Sequence, residues 1–367
     1  MNAYAVIMAG GGGERLWPVS TPELPKQFVD VFGGKPLIRH ALDRLHGLIP
    51  PERTLVVTGA RLVALTRRAL PELPSENIVG EPCRRDTAAA VATACGMVER
   101  LGGGDAVAAI LTADHLMGNV KAFRRVLADA ARAAATTDDI VTMGVTPDYP
   151  ATGFGYIQMG AQVPLGTATV FRRVRRFVEK PAASTARRYL ASGTYVWNAG
   201  MFVWKVSTMK ASLASASPAL ATLAAAVADR RRGIAATLAS LYPPLPRISI
   251  DYAVMEKARN ILVSCGDFGW DDVGTWTSAD RHLSTDARRN VLKGDVTVLD
   301  VSDTVAIAAA DGPQIAALGV HDLVIVATDS SVLVADKSRV QDLKKVLAEM
   351  ARREHGKGTT GGNPARR

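Results

Sequence analysis

The side chains best suited to chemistry in this chain follow short apolar runs. The first group is Met8-Ala9-Gly10-Gly11-Gly12-Gly13-Glu14-Arg15-Leu16-Trp17-Pro18. Glycines lack Cβ atoms, so this backbone can take left-handed torsions and bring its N–H groups close to an anion. Arg15 adds a fork of donors suited to phosphate, and Lys26, in Pro25-Lys26-Gln27-Phe28, adds a second cation. A Walker loop is excluded, because Glu14-Arg15 stands where Gly-Lys-Ser/Thr is needed. The dinucleotide fingerprint fails too: its third glycine falls on Arg15 counted from Gly10, and on Leu16 counted from Gly11. A plain glycine-rich turn would satisfy the same pattern.

Acidic and amide groups form the second set. Asp114 follows an apolar strand-like run, where it can serve as a metal ligand or as the cap or turn residue that Asp also favours. Asp271 and Asp272 are adjacent, and chemistry alone does not separate them. Glu179-Lys180 precedes Pro181, which suits a binding pair or a surface ion pair before a turn. Asn198 carries an amide that both donates and accepts, and it also suits a turn. No Ser/His/Asp arrangement for nucleophilic catalysis stands out. His115 is the only histidine inside a motif; with no Cys or His at ligand spacing, it reads as structural.

These groups need a scaffold, and 367 residues suit a large domain plus a small one. At 48% hydrophobic and 22% charged residues, the chain can bury a large core. Apolar runs at Tyr4–Met8, Thr54–Thr58, Ala106–Leu111 and Ile140–Val145 read as buried strands. They alternate with helical patterns at Pro36–Leu48, Arg61–Ala69, Ala88–Leu101 and Ala122–Ala135. That order predicts an α/β fold: a mostly parallel sheet with helices on both faces, binding ligands beyond the strands' carboxyl ends. Beyond Asp148, Thr152–Val163 reads as a Gly-rich loop or hairpin, Val170–Val178 as a strand, and Ser207–Leu241 as helical; Ile248–Ala258 passes from loop to helix. Short Val/Ile/Leu runs between Val296 and Ala335 predict a small β module, closed by a helix over Val340–Arg352. The expected domains are 1–285 and 286–352, followed by a solvated, disordered tail at 353–367.

The formal charge of +9 comes from short clusters such as Arg230-Arg231-Arg232, which read as solvated surface. Aromatics are 5% and do not interleave with basic stretches, which argues against a nucleic-acid stacking platform. Cys83, Cys95 and Cys265 have neither metal-ligand spacing nor an even count, so a reducing cytoplasm is expected. No apolar run reaches the roughly 20 residues of a membrane helix, and the N-terminus lacks a basic leader; no membrane partner is expected.

The run from Gly10 to Phe28 resembles the signature of mannose-1-phosphate guanylyltransferases, a family of sugar-1-phosphate nucleotidyltransferases. The resemblance continues in order through Glu81-Pro82 with Arg85-Asp86-Thr87-Ala88, Ala113-Asp114-His115, Gly153-Phe154-Gly155-Tyr156-Ile157 and Phe177-Val178-Glu179-Lys180-Pro181. It then takes in Trp197-Asn198-Ala199-Gly200-Met201-Phe202, Ser249 to Glu256 and Phe268 to Trp276. It spans about residues 4 to 280.

The resemblance implies a Rossmann-like, GT-A-like catalytic domain with a left-handed β-helix-like C-terminal module that often helps pair subunits, hence a possible homodimer. It implies GTP and mannose 1-phosphate as substrates, GDP-mannose as product and Mg2+ as cofactor. The implied nucleotide-binding residues are Gly10, Gly11, Gly12, Gly13, Arg15, Lys26, Arg85 and Asp86. On the sugar-phosphate side they are Gly153, Gly155, Tyr156, Glu179, Lys180 and Asn198. Asp114 and Asp272 are the implied metal ligands; relatives usually have Ser at the place of Asp271. Arg15, Lys26, Asp114, Lys180 and Asp272 make up the catalytic set. Asp86 and Ala89 depart from the family's usual Asn and Pro, and Asp86 also fits a helix cap. Longer relatives append an isomerase domain for which this chain is too short, so one activity is expected. Rival readings are another nucleotide and sugar 1-phosphate pair, or a silent nucleotide-sugar-binding regulator. The second is disfavoured by the presence of all five catalytic-set residues.

Overall fold

The computed structural model describes residues 2–11 and 13–358. Its strands are β1 (Ala3–Ala9), β2 (Thr54–Gly59), β3 (Ile78–Glu81), β4 (Val107–Thr112), β5 (Leu116–Met117), β6 (Ile140–Val145), β7 (Tyr156–Val163), β8 (Val170–Val178), β9 (Tyr195–Lys205), β10 (Ile261–Cys265) and β11 (Trp270–Asp271). The helices among them are α1 (Leu37–Asp43), α2 (Val63–Ala69), α3 (Asp86–Gly102), α4 (Val120–Thr136), α5 (Ala183–Ser192), α6 (Val206–Ala216), α7 (Pro218–Ala228) and α8 (Ile234–Leu241). A nine-stranded sheet runs in the order β3-β2-β1-β4-β9-β6-β10-β8-β7. Its first four strands are parallel, as alternating strands and helices require. Strand β9 then enters antiparallel between β4 and β6. Ala5, Val6 and Ile7 of β1 are wholly buried, which explains a strand apolar on both faces.

Helix α3 shows why the chain is rich in alanine. Every residue from Ala88 to Val98 is buried. A Cβ on Gly96 would lie 2.4 Å from Ala224 O and 2.7 Å from Val227 Cβ, so small residues let α3 and α7 pack closely.

The chain divides into two compact units: residues 1–10 with 38–272, and residues 11–37 with 273–367. This division differs from a single cut near residue 285, because the segment after Gly10 groups with the C-terminal part. The second unit contains α9 (Ala279–His282), the strands β12 (Val291–Lys293), β13 (Val296–Leu299), β14 (Val305–Ala308), β15 (Ile315–Leu318), β16 (Leu323–Ala327) and β17 (Val332–Asp336), and α10 (Leu343–Gly358). Strands β12, β14 and β16 pair in parallel, as do β13 and β15, in the manner of stacked β-helix turns. Within this unit Lys293 Nζ donates to Val31 O at 3.0 Å, and Trp276 Nε1 donates to Trp17 O at 2.9 Å. Helix α10 runs to Gly358, past the predicted end at Arg352, so the first part of the expected disordered tail is helical. Residues 359–367 of that tail lie outside the described residues.

Candidate active site

In the larger unit the sugar-side residues converge. The first residues of β9, Tyr195–Trp197, also pair with β7, and Asn198 pairs with Gly144 of β6. Asn198 N–H donates to Gly155 O at 2.9 Å. Its amide oxygen accepts from Thr142 Oγ1 and from Gly200 N–H, each at 3.1 Å, and its Nδ2 donates to Asp251 Oδ1 at 3.2 Å. Gly200 has φ +68°, a left-handed torsion suited to glycine, and the register between β6 and β9 shifts between Asn198 and Phe202. Asn198 thus sits on a bulged strand rather than in a turn.

Lys180 donates to Glu179 in a short ion pair. Burial opposes the Lys180 charge, but Glu179 and Asp251 outweigh it and raise its pKa. Burial first, then the Glu179 charge, pushes the Asp251 carboxyl up to about 6. A Cβ on Gly155 would fall 2.5 Å from Glu179 Oε2, so glycine there leaves room for the carboxylate. Gly153 has open space around it. Tyr156 departs from expectation: its side chain is fully buried beside Tyr189, so only its backbone faces the network.

The metal candidates flank a two-stranded ribbon, Asp114 ahead of β5 and Asp272 after β11. Strands β5 and β11 pair antiparallel, with Asp271 opposite Leu116. Asp272 leaves the ribbon at the end where Ala113-Asp114-His115 enters it. Successive strand side chains point to opposite faces. Asp271 is buried at 8% exposure while Asp272 is half-buried, so Asp272 is the better placed of the two for a ligand. His115 Nδ1 accepts from Trp270 Nε1 at 3.0 Å, and its Nε2 lies 3.6 Å from Asp114 Oδ1. Phe154 joins ribbon and sugar side, with ring centroids 5.1 Å from both Trp270 and Trp197.

Two carboxylates with hard oxygen donors fit a divalent cation that takes its remaining ligands from phosphate and water. Among the described residues no group of three or more His, Cys, Asp or Glu could hold a metal, so an all-protein cage is not what these side chains build.

The nucleotide candidates are spread more widely. Arg85 precedes α3 and donates from Nε to Pro243 O at 2.9 Å, so its fork is partly committed to backbone. Asp86 is exposed, has φ +62° and accepts from Thr87 N–H at 2.8 Å, which is a helix-start role. Thr87 Oγ1 and Ala88 N–H tie this start to Ile250 N–H and Ile248 O. Sequence reading assigned Glu81 no role. It ends β3, burial pushes its carboxyl up to about 7 against a hydrogen bond from Tyr242, and its Oε2 is 3.1 Å from where a Gly10 Cβ would stand. Its place at a parallel strand's carboxyl end was the available signal. Asp251 stands within the Ser249 to Glu256 segment, where its type alone implies no role.

In the smaller unit, Gly13 has φ +59°, and a Cβ there would lie 2.1 Å from Lys26 Cβ, so only glycine fits. Ser20 Oγ donates to Gly13 O at 2.7 Å, and Gln27 Nε2 donates to Gly11 O at 3.2 Å. The loop is therefore tied down by the Ser and the Pro-Lys-Gln-Phe blocks that follow it. Lys26 is buried and Arg15 is exposed. Gly12 lies outside the described residues.

Residues 4–287 match the nucleotidyl transferase family model, and residues 294–350 match the MannoseP isomerase/GMP-like beta-helix domain. The chain is 38% identical to the mannose-1-phosphate guanylyltransferase ManC of Salmonella typhimurium, covering 96% of this chain and 74% of that protein. It is 39% identical to a mannose-1-phosphate guanylyltransferase of Escherichia coli, covering 93% and 72%. The crystal structure of a mannose-1-phosphate geranyltransferase from Thermus thermophilus is similar at TM-score 0.85 and 35% identity, covering 96% of this chain and all of that one. The chain belongs to the nucleotidyl transferase family, among the mannose-1-phosphate guanylyltransferases.

Proposed function

We propose that this protein transfers GMP from GTP to mannose 1-phosphate, giving GDP-mannose and pyrophosphate. The observation that carries the reading is the cluster of Glu179, Lys180, Asn198 and Asp251. It offers hydroxyl acceptors, an amide and one ammonium, which are the groups that a phosphorylated polyol needs. Glu179 accepts from sugar hydroxyls and Lys180 meets the sugar phosphate; the Gly153 and Gly155 backbone and that of Tyr156 line the approach.

A sugar-phosphate oxygen attacks the α-phosphorus of GTP in line. The bond to the α–β bridging oxygen breaks, and pyrophosphate leaves with that electron pair. The attacking phosphate is already anionic, so the step needs positioning and charge neutralisation rather than a protein nucleophile. Arg15, Lys26 and the N–H groups of Gly10 to Gly13 bind the triphosphate. Nucleotidyltransferases of this kind generally use a divalent metal. Here the ion would be Mg2+, held by Asp114 and Asp272, neutralising phosphate charge. For the base, Glu81 offers a carboxylate to the paired N–H donors of guanine, with Arg85 and Asp86 shaping the adjacent helix start.

No described helix is long and apolar enough to cross a membrane. Free thiols at Cys83, Cys95 and Cys265 support a cytoplasmic setting. Exposed Leu299, Leu318, Val332 and Val334 on the β module support self-association as a homodimer, which sedimentation tests directly.

Pyrophosphate release with Mg2+, across a grid of nucleoside triphosphates and sugar 1-phosphates, tests the reaction. Release is expected mainly with GTP and mannose 1-phosphate. Another preferred pair would overturn the base and sugar assignments, and silence from folded protein would favour a regulatory role.

A further inference from the structure

Arg44 follows α1 and is a buried arginine, only 3% exposed, to which no role has been given above. Its Nη2 donates to Thr112 O at 2.6 Å, and its Nη1 donates to His115 O at 3.2 Å. Those two carbonyls bracket Ala113 and Asp114, the turn between β4 and β5. The guanidinium carbon lies 5.0 Å from the Phe123 ring centroid, a cation–π contact that fixes the plane of the fork. Arg44's own backbone is anchored in turn: Arg124 donates from Nε to Arg44 O and from Nη2 to Asp43 O, each at 2.9 Å. The Arg44 charge also feels that of Asp114.

Burying a guanidinium is costly unless its donors are used, and here two of them are spent on the main chain beside one carboxylate. We propose that Arg44 is a positioning residue for the metal-binding turn, its fork fixing the backbone on both sides of Asp114 so that this carboxylate is presented to the divalent cation. The proposal rests on the reading of Asp114 as a metal ligand.

Charge and geometry predict opposite outcomes when Arg44 changes. A cation close to Asp114 opposes metal binding by repulsion, whereas the fork favours it by orienting the ligand. Arg44→Lys separates the two, because it keeps the charge but cannot span both carbonyls with a planar fork. Mn2+ alone, titrated against the full-length protein and followed by water-proton relaxation, reads the site without turnover. Arg44→Lys is expected to weaken Mn2+ binding about ten-fold, as lost outer-shell support typically does. It should raise the Mg2+ concentration for half-maximal pyrophosphate release by a similar factor, while kcat at saturating Mg2+ stays near wild type. A change in packing alone would lower kcat at every metal concentration and leave Mn2+ affinity unmoved, which overturns the proposal.

Asp114→Asn is the control. If it abolishes Mn2+ binding while Arg44→Lys binds like wild type, the Arg44 inference alone fails. If Asp114→Asn leaves Mn2+ binding intact, the metal assignment fails and takes the Arg44 inference with it. Should Arg44→Lys not fold, as judged by circular dichroism, Phe123→Leu removes the ring and keeps the fork. It is expected to weaken Mn2+ binding about two-fold, the smaller loss that a cation–π contact supports, and wild-type affinity there would count against the proposal.

Discussion

Around Asn198, site residues satisfy one another: Thr142, Gly200 and Asp251 occupy its amide, and Lys180 is paired with Glu179. Asp114 and Asp272 stand differently, flanking a ribbon of two short strands braced by the Trp270–His115 contact. The first region spreads a few charges through a part-buried hydrogen-bonded network, which would suit a neutral polyol and one phosphate. The second has two half-buried carboxylates, which would suit a cation. A network of that kind loses function when one member moves, whereas a two-carboxylate site loses it when one charge disappears.

The largest effect is expected at the ribbon. Asp272→Asn and Asp114→Asn should each cut kcat by about a hundred-fold or more, with an unchanged melting curve. Near-normal turnover would erase the contrast between the two regions.

Next in size, Lys180→Ala leaves the Glu179 and Asp251 carboxylates without the ammonium between them. KM for mannose 1-phosphate should rise about thirty-fold, in keeping with a lost charge-assisted hydrogen bond of about 2 kcal/mol, while KM for GTP changes little. Equal losses on both substrates would break the assignment of this network to the sugar.

Gly155→Ala sharpens the point, because its new methyl meets Glu179 Oε2 rather than backbone. Steady-state kinetics should show KM for mannose 1-phosphate raised about ten-fold, while the melting temperature changes little. Gly153→Ala, in open space, should match wild type.

The pH dependence of stability separates the regions further. Asp251 is held at about 6, above its ordinary value of 3.8, so the folded state binds its proton more tightly than the unfolded state. Its contribution is therefore greatest below pH ~4 and is lost as pH rises through 6. Asp251→Asn should flatten the melting-temperature profile across that window; an unaltered slope would mean the network does not hold the proton.

The smallest effect on metal is expected from Asp271→Asn. Its buried side chain faces away from that of Asp272, so half-saturation by Mg2+ should stay put while the melting temperature falls.

Some of this was legible in order and type alone. Strands β1, β2, β4 and β6 are apolar on both faces, a pattern that needs no partner to be read. Strand β9 was missed, because Asn198 and Gly200 interrupt its apolar run and look like a turn. The chain accommodates them with a bulge, and the same bulge aims Asn198 at Asp251. Ser207–Leu241, helical by its composition, forms three helices, with Pro218 starting the second.

By itself the sequence determined the parallel half of the sheet, the glycine loop and the carriers of charge, because periodicity, missing Cβ atoms and ionisable groups are local properties. Only the tertiary structure decided which charges act together. Long-range pairing set Asp271 opposite Leu116, buried Asp271, put Tyr156 in the core, drew Asp251 to Asn198 and tied Arg44 to the carbonyls on either side of Asp114. Each of those outcomes depends on strands or helices distant in sequence meeting in one register, and register is set by packing of the whole core.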